Sequence, residues 1–340
     1  MDLSRYTRRS LIVVAMLFVF LLFALVLRQV AVVLLLMFAG VLLSVLLEGL
    51  TTKLCTHTGI PYGWGLSIVV TLIVLFFAGA GWYVGPRIDG QFAKLGDRIP
   101  SAIEYIRSSL ERSYWGRSLL AGMPDSEKTA SVVAGGVSSL FTGLSSGLVV
   151  LIIGLYLAVA PSLYINGVLR LLPPSKRNRG GDVVRVVGRA LRWWLVGRIA
   201  SMGVVGVLTA IGLWISGVPL AIVLGLIAAL LSFVPYIGPI VSVIPAVFVA
   251  LADAPTKALY VIIVYVAVQI LESNLITPLI QEQTVSLAPV VLVAAQLLMG
   301  VLVGVVGVFI ATPLAVVCIV LVQMLYVEDV LGEAVTPLGK

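Results

Sequence analysis

The 340-residue sequence is 61% hydrophobic and 11% charged, with 22 Lys and Arg against 15 Asp and Glu for a net charge of +7. Soluble chains carry about 45–50% apolar and about 25% charged residues, so a soluble globular fold is excluded. Two cysteines, Cys55 and Cys318, and one histidine, His57, leave little for a disulfide framework or metal cluster, and no GxxxxGK followed by Ser or Thr is present to bind nucleotide phosphates. What remains is an all-α, polytopic membrane protein without a metal or other cofactor and with no enzymatic activity. A β-barrel would alternate over segments of about 10 residues, and these apolar runs are unbroken.

A spanning helix needs about 20 apolar residues. Leu11–Leu27 and Val30–Leu47 meet that requirement on either side of Arg28 and Gln29, and Trp64–Val84 is a third span. These make up a first unit, residues 1–84. Arg5, Arg8 and Arg9 precede the first span, which is too long for a signal peptide and runs directly into the second, so the N-terminus is expected in the cytoplasm. Residues 85–139 then form an extracytoplasmic region. Within it, Ile88, Phe92, Leu95, Ile99, Ile103, Ile106 and Leu110 make one apolar stripe at helical spacing, suited to the protein's own bundle, to lipid, or to a neighbouring protomer.

Residues 140–160 supply a fourth span. Gly143-Leu144-Ser145-Ser146-Gly147 matches the GxSxG pattern of hydrolases but lacks a histidine partner and a strand–turn–helix setting, so it is assigned to helix packing. Residues 161–198 follow as a basic cytoplasmic stretch with eight Lys or Arg against Asp182 alone, a net +7 that equals the charge of the whole chain. Such asymmetry places this stretch inside. Its second half is amphipathic: Arg185, Arg189 and Arg192, with Trp193 and Trp194, suit an anionic lipid leaflet better than nucleic acid, which is excluded as a partner.

Residues 199–327 form a C-terminal transport bundle, followed by a cytoplasmic tail, 328–340. Ile199–Gly217 is a fifth span. The next apolar stretch is too long for one helix and breaks at Pro235, Tyr236, Gly238 and Pro239, with Pro245 beyond. The last apolar stretch repeats the device at Gly304, Gly307 and Pro313. The count is about eight membrane segments, two of them discontinuous or re-entrant, with amphipathic interfacial helices outside. Paired broken helices in a second half point to a transporter binding site, because irregular backbone at membrane depth is tolerated only inside protein or beside a cavity. Between the breaks lies Glu272, with Gln269, Asn274, Thr277 and Pro278 around it. A carboxylate at mid-membrane costs about 2.5–3.5 kcal/mol, so Glu272 is the expected proton carrier and the others the path lining. The alternative is a helix-end charge at the water interface.

These residues also carry a resemblance. Arg170-Leu171-Leu172-Pro173-Pro174, Arg192-Trp193-Trp194-Leu195-Val196-Gly197, Phe233-Val234-Pro235-Tyr236-Ile237-Gly238-Pro239, Glu272-Ser273-Asn274-Leu275-Ile276-Thr277-Pro278 and Gly304-Val305-Val306-Gly307 occur in this order over the C-terminal half. In this the chain resembles the autoinducer-2 exporter (AI-2E) family of bacterial permeases. Arg198 and Ser273 depart from the family pattern, which has an uncharged polar residue at the first position and glycine at the second. The resemblance implies an eight-segment permease of the bacterial inner membrane, with both termini cytoplasmic. It implies ion-coupled export of a small polar signal such as autoinducer-2, or monovalent cation/proton antiport. It further implies a homo-oligomer, with a pentamer the expected count. A structural, partner-binding membrane protein is the reading from another class, and the mid-segment carboxylate argues against it.

Overall fold

A computed structural model describes residues 3–75, 147–276 and 288–333, together with positions 78, 79, 82 and 108; for residues 3–29 it describes the backbone alone. Every regular element among them is helical. In chain order these are α1 (Leu3–Thr58), α2 (Tyr62–Leu75), α3 (Gly147–Val159), α4 (Pro161–Arg170), α5 (Arg177–Ile215), α6 (Ala221–Leu231), α7 (Ile237–Asp253), α8 (Pro255–Leu271), α9 (Pro289–Val303) and α10 (Val305–Leu321). Short π-helical turns, Glu272–Ile276 and Val322–Glu328, extend α8 and α10. The apolar stripe of Ile88–Leu110, the extracytoplasmic region 85–139 and most of the GxSxG pattern lie outside the described residues, apart from Ser108 and Gly147.

Two sequence boundaries dissolve. The expected turn at Arg28-Gln29 is absent, and α1 runs unbroken for 56 residues, about 84 Å at about 1.5 Å per residue. Neither residue breaks a helix, and no proline occurs before Pro61. Likewise the boundary at residue 198 falls inside α5, whose 39 residues join the basic amphipathic stretch to the expected fifth span. No proline lies between Pro174 and Pro219, so nothing separates the two. Among the described residues four helices are long and apolar enough to cross a membrane, or five when the bent pair α3–α4 is counted as one span. The remaining apolar length is in shorter helices. The 85° bend of α3–α4 has a local cause: Pro161 opens α4 and holds Ala160 outside the helical region.

The two expected breaks fold as helical hairpins. In the first, α6 turns into α7 through residues 232–236, with Tyr236 at φ 63°. Gly238 packs on the carbonyl of Leu231, leaving no room for a side chain. In the second, Gly304 at φ 77° links α9 to α10, a conformation that suits glycine. Gln296 donates to Thr312 Oγ1 at 3.2 Å, each eight residues from that glycine, so the two arms lie antiparallel. Pro245 and Pro313 lie inside α7 and α10, and Pro239 sits in the first turn of α7. A membrane helix tolerates proline where its neighbours satisfy the freed backbone, so Gly304 and the Pro235-Tyr236 turn make the breaks.

The long helix α5 organises the packing. Its first half joins α1 and α10 in an apolar cluster that includes Leu42, Leu191, Leu195, Val316 and Val320. Its second half joins α6, α7 and α8 through Val205, Leu213, Leu224, Val249 and Val261. Gly206 on α5 and Gly225 on α6 face each other so closely that a methyl on either would meet the other's carbonyl. Small residues at a crossing let backbones approach, which is how membrane helices gain contact without a hydrophobic driving force.

Gly238→Ala is expected to lower stability by about 1–3 kcal/mol, because the hairpin backbone must move to admit the methyl. Gly203→Ala on α5, where a Cβ meets nothing, should leave stability unchanged or raise it. Thermal unfolding of the two variants in detergent checks this, and equal melting temperatures would contradict the close packing at the first hairpin.

Candidate functional site

The junction between the two halves of α5 carries Arg198, and the end of α8 carries Glu272. Their side chains are 12% and 6% exposed, and Arg198 Nη1 lies 3.3 Å from Glu272 Oε1. This is a buried ion pair between elements 74 residues apart. Two further groups donate to the carboxylate: Ser201 Oγ to Oε1 at 2.6 Å, and Gln269 Nε2 to Oε2 at 3.1 Å. Ser201 follows Arg198 by three positions on α5, and Gln269 precedes Glu272 by three on α8, so each helix presents two polar groups on one face.

The first hairpin closes onto this pair. Arg198 Nε donates to the carbonyl of Phe233 at 3.1 Å, tying the guanidinium to the turn between α6 and α7. The Phe233 ring meets Trp194 of α5 edge-on at 5.6 Å between centroids and stacks on Phe309 of α10 at 5.8 Å. Phe309 lies five residues past Gly304, so the aromatic stack links both hairpins to α5. Arg198 Nη2 is buried with no hydrogen-bond partner among the described residues.

Of the residues expected to line a path, the structure brings Gln269 to Glu272. It does not bring Asn274, which is exposed and donates to the carbonyl of Ile270 on its own helix at 2.9 Å. Thr277 and Pro278 lie outside the described residues. Glu272 is buried within the bundle rather than at its edge. The expectation of a lone carboxylate missed Arg198 and Ser201, because Arg198 reads as the last residue of a basic amphipathic stretch. The available signal was its departure from the family pattern at the point where that stretch becomes apolar.

The five residues assigned to a lipid interface divide. Arg185, Arg189 and Trp193 are exposed, with Arg185 paired to Asp182 at 2.8 Å. Arg192 and Trp194 turn inward: Arg192 approaches Glu48 of α1 at 3.7 Å, and Trp194 joins the aromatic stack. His57 is exposed at the end of α1, and no group of three His, Cys, Asp or Glu side chains able to hold a metal occurs among the described residues.

Comparison with known proteins bears on the chain as a whole. The sequence model of AI-2E family transporters matches residues 11–326. YrrI of Bacillus subtilis (strain 168) is 29% identical over 267 residues, covering 73% of this chain and 74% of its own length. YueF of the same organism is 28% identical, covering 73% of each chain. PerM of Escherichia coli (strain K12) is 27% identical over 296 residues, covering 81% and 82%. All three bear provisional names, YrrI and YueF as transport proteins and PerM as a permease.

Removing one partner of a buried ion pair strands the other charge at a cost of about 3–5 kcal/mol. Arg198→Gln should therefore destabilise the protein by about that amount, and adding Glu272→Gln should recover most of it. A double-mutant cycle of unfolding in detergent measures the coupling; additive losses would mean that the two charges do not interact.

Proposed function

The chain belongs to the AI-2E transporter family and is an integral membrane permease, and from that premise we propose that it exports a small polar signal such as autoinducer-2 by ion-coupled alternating access centred on Glu272. The observation that carries this reading is the buried pair of Glu272 and Arg198, closed on one side by the tip of a helical hairpin. Two charges are costly to bury in an apolar bundle, and a pair that could be replaced by apolar residues calls for a working role.

Protonation of Glu272 removes the counter-charge of Arg198. The guanidinium that holds the Phe233 carbonyl is then free to reorient, and the hairpin loses one of its ties to α5. Each proton taken up is in this way coupled to movement of the hairpin. With Glu272 ionised the pair re-forms and the hairpin is held. This gives a two-state element whose balance an ion gradient can bias. Homo-oligomeric assembly, with a pentamer the expected count, belongs to the same proposal. So do inner-membrane placement with cytoplasmic termini and contact of Arg185, Arg189 and Trp193 with anionic lipid headgroups.

Monovalent cation/proton antiport, the second reading from the family, needs oxygen ligands around the carboxylate. Arg198, Ser201 and Gln269 all donate to it instead, which suits a solute that brings acceptors.

The test is lumenal pH in sealed proteoliposomes holding a preset proton gradient. Autoinducer-2 should dissipate the gradient in the wild type and not in Glu272→Gln. Dissipation by sodium or potassium alone would establish antiport instead, and unchanged autoinducer-2 transport in Glu272→Gln would remove Glu272 from the mechanism.

A further inference from the structure

The guanidinium of Arg198 is under-used by its own counter-ion. A guanidinium carries five N–H donors in a planar fork and takes a carboxylate through two parallel bonds of about 2.7–2.9 Å. Here Glu272 makes a single contact, at 3.3 Å to Nη1, and Nε is spent on the Phe233 carbonyl. Nη2 is left buried and without a partner among the described residues. A buried charged donor without an acceptor is costly, and such a group marks a place that something else completes.

The surroundings indicate what completes it. Ser201 Oγ and Gln269 Nε2 both aim donors at the carboxylate. Together with the guanidinium they form a cluster of donors around a single negative charge, tied through the Phe233 carbonyl to the residue whose ring stacks with Trp194 and Phe309. Tyr236, at the hairpin tip, is a further ionisable side chain near Arg198, a phenol that carries no charge near neutral pH. With Glu272 ionised the pair is neutral, and an added anion would leave a net negative charge in an apolar setting. With Glu272 protonated, Arg198 is a bare cation, and an added monoanion restores neutrality. Proton and anion therefore favour each other's binding, and the coupling is reciprocal.

We propose that Arg198 is the solute-binding group of this permease, and that its ligand is a small, singly charged oxyanion bound together with one proton on Glu272. The proposal rests on the transport reading above and adds to it a solute class and a stoichiometry of one proton moving with each anion, so that export runs down the anion's own outward gradient. The oxyanion takes the position on the fork that Glu272 gives up, accepts from the free Nη2, and inherits the hydroxyl of Ser201.

The experiment titrates the purified full-length protein in detergent with lactate, nitrate and methanesulfonate, three monoanions whose own charge does not change between about pH 5.5 and about pH 7.5. Thermal stabilisation is the readout, and glycerol is the neutral control. At least one anion should stabilise the wild type, with an apparent affinity that rises by up to about tenfold for each pH unit lowered. Glu272→Gln, which mimics the protonated carboxyl, should bind that anion equally at both pH values. The double variant Arg198→Gln with Glu272→Gln, which strands no charge, should not bind it. No stabilisation by any of the three anions, or equal stabilisation of the double variant, overturns the proposal. Blank anion titrations beside autoinducer-2 transport that depends on Glu272 would overturn the oxyanion site and leave the permease reading standing. PH-dependent anion binding without any transport would support the site and overturn that reading.

Discussion

Two opposite charges neutralise each other inside an apolar bundle, and the arrangement of the C-terminal half follows from that requirement. Neither Arg198 nor Glu272 is tolerable alone when buried to this extent. Their meeting fixes the rotation of α5 and the approach of the end of α8. It also fixes the seat of the first hairpin, because the same guanidinium holds the Phe233 carbonyl. Ser201 and Gln269 complete the carboxylate from the same two helix faces, so among the described residues the polar cluster is satisfied on the Glu272 side and open on the Arg198 side.

Around this polar point the apolar packing is divided, and α5 belongs to both parts. Its first half is held by α1 and α10, its second by α6, α7 and α8. At its N-terminal end Arg179 reaches across to Glu328 at 2.9 Å and Asp329 at 2.8 Å, pinning it to the turn that follows α10. These outer bonds are partly exposed and individually weak. The charge buried between the two clusters is the one whose loss is expensive. A change at the hairpin tip is thereby felt by the helix that carries the other cluster.

Much of this architecture could be read from residue order alone, and the misses share a physical reason. Pro235-Tyr236 and Gly304 announced the two breaks because their effect on the backbone is local: a missing N–H, a positive φ. Glu272 was visible for the same kind of reason, a carboxylate in an apolar run. Arg198 was not, because its role depends on a partner 74 residues away, and its nearest neighbours in sequence place it in a basic helix. Pro245 and Pro313 misled in the opposite sense. Proline breaks a helix only when its surroundings fail to accommodate it, and a packed membrane bundle accommodates it. The continuity of α1 and α5 was missed because composition changes along each helix while nothing in the backbone obliges it to stop.

The separation of Arg198 from Glu272 along the chain also has a consequence for how the protein is made. During synthesis α5 reaches the membrane well before α8, so for that interval the guanidinium has no counter-charge. Arg198 stands at the N-terminal edge of the apolar second half of α5, where a charge costs less than the ~2.5–3.5 kcal/mol of a mid-span position, and that apolar half must outweigh the cost by itself. The pair forms only when α8 arrives, and the hairpin of α6 and α7 is threaded between them in order of synthesis. The polar bond is thus made late, just before α9 and α10 follow, and a chain truncated before Glu272 would present the quality-control machinery with an unpaired arginine.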